Sequence, residues 1–341
     1  MHWTVATPFI TKTQKPVWLL PYVPGERHKF QVIPRPGEMV NWHLRKSPVT
    51  ERKEWQEYWQ QSKEALTQTQ GGVITAHPQL AATVGLQKLY RGRRTPVVSW
   101  FFNTATCYSG MKQLLASMSL NQINKLIVHN SCERELYSKW LGLPIERFEF
   151  VPLHIELEVE PCPEESEKPY IFATGSGFRD YATLFKAVEK LNLRTIIVPG
   201  KNSLKGLEVP PQVETIYQLP KNEIRRLVQR ARVNVVPMTT EGIVAGTVTI
   251  AETMRLGRTM VITNRSGVED YIQDGVTGLM VKPFSVDEMV EAIDRLWNDS
   301  QLRQKMNEQA DKFAFNNFTV EAVGASMGRI LDQVADELGV C

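Results

Sequence analysis

The sequence predicts an α/β protein built from two Rossmann-like, doubly wound domains that leave a cleft between them. Short apolar runs alternate with longer amphipathic segments, a pattern that is typical of parallel strands joined by helical crossovers. A chain of 341 residues suits two such domains. Between them, the acidic segment Glu156–Pro169 holds three prolines, which favours an exposed and poorly packed linker.

In the first predicted domain, residues 1–157, apolar runs mark the strands and polar-periodic segments mark the helices. The candidate strands are Thr4–Pro8, Phe30–Ile33, Gly72–His77, Pro96–Phe102, Lys125–His129 and Phe148–Pro152. The candidate helices are Glu51–Thr67, Gln79–Tyr90, Gly110–Met118 and Cys132–Leu141. Each helix returns the chain to the same edge of the sheet, so we expect the strands to be parallel.

In the second predicted domain, residues 170–318, the apolar runs are clearer. The candidate strands are Tyr170–Thr174, Arg194–Val198, Val213–Leu219, Val233–Met238, Thr259–Thr263 and Gly278–Val281. Most are apolar on both faces, as buried parallel strands are. The candidate helices are Asp180–Leu191, Asn222–Arg230, Thr249–Leu256, Ser285–Trp297, Ser300–Phe315 and Thr319–Leu338. We expect the last segment, residues 319–341, to pack back on the first domain.

Composition indicates an ordinary globular protein, with 42% hydrophobic and 23% charged residues. No apolar run is long enough to cross a bilayer, and the first residues lack the pattern of a signal peptide. The four cysteines are widely spaced, which favours reduced thiols. We therefore expect a cytoplasmic protein, with the inner face of the plasma membrane as a second possible site.

Charge is distributed unevenly. Residues 1–150 carry 19 Lys and Arg against 10 Asp and Glu, whereas residues 151–341 carry 21 against 27. The basic half suggests an anionic partner: nucleic acid, a membrane surface or a diphosphate-bearing acceptor. No nucleic-acid-binding motif accompanies the charge, so we do not expect a nucleic-acid partner. No Asp-x-Asp is present to chelate a metal with a diphosphate, so we expect neither metal nor cofactor.

Two loops of the second half carry the residues expected at a phosphate site. The first is Gly175-Ser176-Gly177-Phe178-Arg179-Asp180, where glycines permit close approach to a ligand and a helix N-terminus follows. A tight turn with a surface arginine is the alternative. The second loop, residues 239–252, brings Glu241, the small residues Ala245 and Gly246, and Glu252 to a strand-to-helix turn. A plain helix cap is the alternative there.

The segment from Ala245 to Ile293 closely resembles the C-terminal domain of retaining, family-4-like glycosyltransferases with the GT-B fold. The matching residues are Gly246, Glu252, Gly257, Gly267, Asp270, Thr277-Gly278-Leu279 and the helix Asp287–Ile293. The resemblance spans residues 170–318 and is diffuse over residues 1–150. The chain is also similar to cyanobacterial exopolysaccharide glycosyltransferases of the heterocyst-envelope type, which implies UDP-glucose as the donor.

The resemblance implies a donor site. Arg179 stabilises charge on the departing diphosphate, Glu252 binds ribose, and Glu241 faces the donor sugar as a catalytic residue. The implied donor-binding residues are Gly175, Ser176, Arg179, Lys201, Tyr217, Leu219, Glu241, Ala245, Gly246, Thr247, Val248 and Glu252. The chain departs from the family in the spacing of Glu241 and Glu252 and in lacking a glycine-rich turn after the first strand.

We expect the first domain to bind the acceptor, a saccharide or a lipid-diphosphate-linked saccharide. The candidate acceptor residues are His77, Phe102, Asn103, Arg93 and Arg94. Aromatic faces stack on sugars and arginines bind phosphate, although core packing and a solvated helix end would also explain them. The helix at residues 50–69, with Trp55, Tyr58 and Trp59, predicts either a peripheral membrane contact or a surface helix with inward tryptophans.

The expected enzyme is thus a metal-independent hexosyltransferase that uses a UDP-sugar with retention. His77 and His129, each at a strand end, are the candidate bases if the reaction inverts instead. Two alternatives remain: a UDP-sugar 2-epimerase-like enzyme, and a non-catalytic protein that binds nucleotide sugars.

Overall fold

The computed structural model describes residues 1–11, 18–37, 50–92, 94–104, 106–157, 160–239 and 246–339. The chain divides into two compact units. The first comprises Met1–Val151 together with Val323–Cys341, and the second comprises Pro152–Ala322.

The first unit contains a six-stranded parallel sheet in the order β2-β1-β3-β4-β5-β6. Its strands are β1 (His2–Thr11), β2 (Lys29–Arg35), β3 (Gly72–Ala76), β4 (Val97–Trp100), β5 (Lys125–Val128) and β6 (Phe148–Phe150). Its crossover helices are α1 (Arg52–Gln68), α2 (Pro78–Arg91), α3 (Met111–Leu120) and α4 (Cys132–Leu141). The strands β3, β4 and β5 are buried at every position, as a parallel sheet requires.

The second unit contains another six-stranded parallel sheet, in the order β12-β11-β10-β7-β8-β9. Its strands are β7 (Ile171–Gly175), β8 (Thr195–Pro199), β9 (Val213–Thr215), β10 (Val233–Val236), β11 (Met260–Thr263) and β12 (Leu279–Val281). Its helices are α5 (Tyr181–Leu191), α6 (Lys221–Arg230), α7 (Thr247–Arg255), α8 (Val286–Asn298) and α9 (Ser300–Phe318). The prediction of two doubly wound α/β domains is confirmed.

Both faces of the second sheet are covered. Ile171 and Ala173 of β7 point into one apolar cluster with α5 and α8, while Phe172 points into another with α6. Side chains alternate between the faces of a strand, so a strand buried on both faces must be apolar throughout. The predicted strand at Val213–Leu219 is shorter than expected, because β9 ends at Thr215.

The last helix, α10 (Val320–Glu337), joins the first unit from Val323 onward. Gly324 allows this helix to approach the turn after β1, since a Cβ at that position would lie 2.5 Å from Cβ of Tyr22. On the next turns of α10, Arg27 forms an ion pair with Asp332 at 2.7 Å and a second one with Asp336.

The segment expected to be a loose linker is joined to the second unit by ion pairs, where it is described. Glu164 forms ion pairs with Arg232 at 2.8 Å and with Arg303 at 3.2 Å. Glu165 pairs with Arg230. None of residues 160–169 is buried and six of them are exposed, as the sequence predicted, although Glu164 and Glu165 meet arginines of the second unit. Among the described residues, no helix combines the length and hydropathy needed to traverse a bilayer.

Candidate functional site

The second sheet has a topological switch point between its central strands, β7 and β10. From β7 the chain proceeds to β8 on one side, and from β10 it proceeds to β11 on the other side. The loops that follow β7 and β10 therefore diverge and leave a crevice at the carboxyl edge of the sheet. Ligands of open parallel sheets bind in such crevices.

The loop after β7 folds back on itself around Gly175. This glycine has a φ of 126°, and a Cβ there would lie 2.5 Å from the Arg179 guanidinium. Only glycine combines that backbone conformation with so close an approach. The Tyr181 hydroxyl donates a hydrogen bond to the Gly175 carbonyl at 2.9 Å, which fixes the turn from below.

Arg179 lies at the centre of this loop. Nε donates to the Thr174 carbonyl, Nη1 to the Gly177 carbonyl and Nη2 to Oγ1 of Thr249, each at 3.0 Å. Burial lowers the pKa of Arg179 from its ordinary value, and nearby Arg265 lowers it further. A guanidinium has five N–H donors, so these three bonds leave at most two for an oxyanion.

The loops after β7 and β10 are joined to each other by the backbone. The amide of Asp180 donates to the Pro237 carbonyl at 3.1 Å, and that of Thr239 donates to the Phe178 carbonyl at 3.0 Å. Arg179 and Met238 thus form an antiparallel bridge. This bridge holds Arg179 beside the start of α7.

The two helices that begin at the crevice differ in their caps. Asp180 caps α5, since its carboxylate accepts from the amide of Thr183 at 3.0 Å and from its hydroxyl at 2.5 Å. Helix α7 has Gly246 as its N-cap, a residue with no side chain to bond the first amides. Asp180 thus holds the amide of Thr183 in the first turn of α5, and a phosphate contact at this helix end stays a prediction. The N-terminus of α7 is the one suited to an anion.

Gly246 sets the approach of α7 to the crevice. Its φ is 89°, and a Cβ there would lie 2.5 Å from Sδ of Met238 and 3.7 Å from Nη1 of Arg179. The N-terminal end of α7 and the guanidinium thus lie next to each other. Thr247 is buried in the first turn, whereas Val248 is 51% exposed.

Glu252 lies on α7, one turn beyond Thr249, and is held by two cations of α6. Arg225 donates from Nε to Oε1 of Glu252 at 2.6 Å, and Nζ of Lys221 lies 3.5 Å from the same oxygen. Arg225 is itself fixed by the Glu156 carbonyl at 3.1 Å. The sequence did not indicate this partner, because the two residues lie 27 positions apart.

The remaining donor residues surround this centre. Ser176 is exposed, and its carbonyl accepts from the Ser203 hydroxyl at 3.0 Å. Lys201 is exposed in the loop after β8, and Tyr217 and Leu219 follow β9 with Tyr217 half exposed. All three loops leave the carboxyl edge of the same parallel sheet. Glu241 and Ala245, like Arg93 in the first unit, lie outside the described residues.

The carboxyl edge of the first sheet carries an aromatic and imidazole cluster. Its members are Phe9, Trp18, His77, Phe101 and His129. His77 stacks on Phe101 with ring centroids 5.9 Å apart, and Phe101 lies 4.9 Å from His129. Phe9 contacts Trp18, His77 and Phe101 edge-on. Burial lowers the pKa of His77 to about 4, so its imidazole is neutral near pH 7.

Phe102 does not join this cluster. Its side chain is fully buried in the core of the first unit, 5.2 Å from the ring of Tyr137. The prediction that Phe102 stacks on an acceptor is therefore wrong, and Phe101 is the aromatic residue at the sheet edge. Asn103 is exposed, and its amide donates to Glu133 at 2.9 Å.

Arg94 is likewise separated from His77. It is exposed and precedes β4, so it lies at the amino edge of the parallel sheet, whereas His77 follows β3 at the carboxyl edge. The structure does not bring the two together. In the part of the chain that the structure describes, no three His, Cys, Asp or Glu side chains converge as a metal site would require.

Comparison with known proteins finds a family match in the second unit. Residues 166–313 match the family described as Glycosyl transferases group 1. The chain is also 33% identical over 87 residues to an alpha-D-kanosaminyltransferase of Streptomyces kanamyceticus, a match that spans 26% of this chain and 22% of that enzyme's length. Residues 166–313, less than half of the chain, are thus similar to glycosyl transferases of this group.

Solved structures establish the fold of both units. The lipopolysaccharide outer core galactosyltransferase WaaB is 14% identical, with a TM-score of 0.66 over 98% of this chain and 100% of that chain. Anabaena HepE in complex with UDP is 13% identical, with a TM-score of 0.64 over 89% and 86%. HepE has also been solved with UDP-glucose. The fold is GT-B.

Proposed function

We propose that the chain is a metal-independent hexosyltransferase that moves glucose from UDP-glucose to a saccharide or lipid-linked saccharide acceptor in exopolysaccharide synthesis, with retention at the anomeric carbon. The group 1 domain over residues 166–313 supports the reaction class. The likeness to HepE, which has been solved with UDP and with UDP-glucose, supports the donor.

The observation that carries the proposal is the junction of Arg179 with the start of α7, where Gly246 is the N-cap. A donor diphosphate carries two negative charges, and both a helix N-terminus and a guanidinium bind such charge. Here the Gly246 cap and the Arg179 side chain lie side by side at a switch-point crevice. Lys201 and Ser176, in the neighbouring loops, are the proposed outer phosphate contacts.

Glu252 is the proposed ribose ligand. Vicinal hydroxyls donate well to one carboxylate. Arg225 and Lys221 both contact Oε1, which leaves Oε2 as the proposed acceptor for the ribose. Tyr217 and Leu219, which follow β9, are the proposed neighbours of the base.

In the proposed mechanism, the protein stabilises the leaving diphosphate. The bond from the anomeric carbon to the diphosphate breaks as the acceptor oxygen attacks from the same face, and the diphosphate takes the acceptor's proton. Negative charge grows on the diphosphate oxygen, where Arg179 and the α7 amides act. Glu241 is the proposed residue facing the donor sugar.

The first unit is the proposed acceptor-binding unit. His77 and Phe101 present a neutral imidazole and an aromatic ring at one sheet edge, and such groups bind sugar hydroxyls and sugar faces. Asn103 follows on the same loop. The proposed acceptor is a saccharide or a lipid-diphosphate-linked saccharide, and the proposed location is the cytoplasm or the inner face of the plasma membrane.

The test combines donor binding with turnover. UDP-, GDP- and ADP-glucose are screened for thermal stabilisation of the wild type and of Glu252→Ala, with Glu223→Ala on exposed α6 as the control. We expect stabilisation by UDP-glucose that Glu252→Ala loses and Glu223→Ala keeps. UDP release from bound UDP-glucose then separates an enzyme from a silent binding protein. Stabilisation by none of the donors would refute the proposal.

A further inference from the structure

Helix α3 of the first unit is amphipathic, but its apolar face is exposed to solvent. Its large apolar side chains are Met111, Leu114, Leu115 and Met118, and they are between 46% and 69% exposed. They recur at the spacing of one helical face. We call them the α3 stripe. A helix of a globular protein ordinarily turns such a face inward.

The inner face of α3 contacts α2 and α4 through polar and small residues. Gln113 donates from Nε2 to the Trp140 carbonyl at 2.6 Å, and the Ser117 hydroxyl donates to the Leu141 carbonyl at 2.5 Å. A Cβ at Gly85 of α2 would lie 1.9 Å from the Ser119 carbonyl oxygen, so α2 and α3 are in backbone contact. The helix is thereby fixed with its apolar side outward.

The stripe has the dimensions of a shallow membrane insert. From Met111 to Met118 the helix rises about 10 Å. Tyr108 precedes it with its ring half exposed, and Nζ of Lys112 lies 4.9 Å from the centre of that ring. A tyrosine and a lysine beside an apolar stripe are typical of residues at the headgroup level of a bilayer.

Charge favours an anionic surface as the occupant. Helix α3 contains no acidic residue, and residues 1–150 carry 19 Lys and Arg against 10 Asp and Glu. Lys112, beside the stripe, is complementary to acidic lipid headgroups, and the basic excess of residues 1–150 has the same sign. We propose that the α3 stripe inserts into the headgroup region of an anionic membrane and docks the first unit there.

This proposal deepens the proposed location at the inner face of the plasma membrane, but it does not rest on the proposed reaction, because α3 contributes no residue to the donor site. It also differs from the sequence-based hypothesis, which placed a membrane contact on the helix at residues 50–69. There Tyr58 is buried, while Trp55 and Trp59 are 41% and 46% exposed. The inward-tryptophan alternative is therefore wrong, yet α1 lacks a continuous apolar face because Gln56 and Gln60 are exposed among its tryptophans.

The test is flotation at low salt with vesicles of phosphatidylglycerol and phosphatidylcholine, compared with vesicles of phosphatidylcholine alone. We expect the wild type to bind the anionic vesicles, and Leu114→Ser with Leu115→Ser to weaken binding by roughly ten-fold or more. The matched control is Val276→Ser with Phe315→Ser, which removes equally exposed apolar groups from the second unit and should bind as wild type.

Three outcomes would overturn the proposal. The first is that the wild type does not bind anionic vesicles, and the second is that the double variant binds them as well as the wild type. The third is that, without vesicles, sedimentation shows the stripe holding two copies of the chain together. Should the double variant misfold by circular dichroism, Leu115→Trp serves instead. Its tryptophan emission should shift to shorter wavelength on adding anionic vesicles, and an unchanged emission would overturn the proposal equally.

Discussion

Nη2 of Arg179 donates a hydrogen bond to Oγ1 of Thr249 at 3.0 Å and so joins the turn after β7 to the first turns of α7. Both chain segments belong to the proposed diphosphate site. The bond therefore fixes the direction of the guanidinium relative to the helix end, and its removal should affect donor binding more than folding.

Thr249→Val removes this bond while preserving the side-chain volume. We expect UDP to bind roughly five-fold more weakly, with a loss of about 1 kcal/mol in the free energy of unfolding. Isothermal titration with UDP and urea unfolding measure the two effects. Thr253→Val is the control, since its hydroxyl bonds the Thr249 carbonyl on the same helix without touching Arg179. Equal UDP affinities in both variants would contradict the role given to Thr249.

Arg225 should act as a positioning residue for Glu252. Arg225→Met removes the 2.6 Å bond to the carboxylate, and Lys221 at 3.5 Å remains as its one close cation among the described residues. We expect roughly ten-fold weaker binding of UDP and a smaller effect on binding of pyrophosphate, which has no ribose. Arg226→Met, on the exposed side of α6, should leave both affinities unchanged. A uniform loss for both ligands would indicate a merely structural role.

Gly175→Ala should inactivate the site through Arg179. The new Cβ would lie 2.5 Å from Nε and Nη2, so the guanidinium must leave its bonds to the Thr174 carbonyl and Thr249. We expect kcat/KM to fall roughly a hundred-fold, with a stability loss of about 1–2 kcal/mol from the positive φ. Gly257→Ala, at a φ of 69° with no atom within 4 Å of its Cβ, should lose stability alone.

His77 should make stability depend on pH. Its pKa is about 4 in the folded unit and about 6.5 when unfolded. Below pH 6.5 the unfolded chain therefore binds a proton that the folded chain does not. Stability is lost as pH falls toward 4, by about 3 kcal/mol for this group. His154 in the second unit has the same shift and adds a similar loss.

Urea unfolding of wild type and His77→Gln at about pH 7 and about pH 4.5 measures this effect. The variant should lose less stability on acidification than wild type, because its side chain does not titrate. The exposed His2 supplies the control, and His2→Gln should follow the wild type. Parallel pH profiles of all three proteins would show that His77 is not the responsible group.

Much of the fold could be predicted from the sequence because the central strands are apolar on both faces. The run at Tyr170–Thr174 can be buried only between two helical layers, and β7 lies there. The turn after it could also be predicted, since Gly175 and Arg179 directly follow the strand. Both residues lie at the crevice.

What could not be predicted depends on contacts between distant residues. The partner of Glu252 is Arg225 on another helix, and the residue that closes the α5 N-terminus is Asp180, whose carboxylate could equally have pointed to solvent. Periodicity alone would also turn the α3 stripe inward. Its outward direction follows from the bonds that Gln113 and Ser117 make with α4, and a hydrophobic pattern does not encode such bonds.

The chain returns to the first unit at α10, where Gly324 packs on Tyr22 and Asp332 pairs with Arg27. This return affects the order in which the two units of a newly made chain can fold. A ribosome makes residues 1–151 before the second unit, yet the helix that packs on them is made after that unit. The second unit is continuous in sequence, so it can form its sheet before α10 is available to pack on the first unit. Newly made chains should therefore acquire a protease-resistant second unit before a resistant first one.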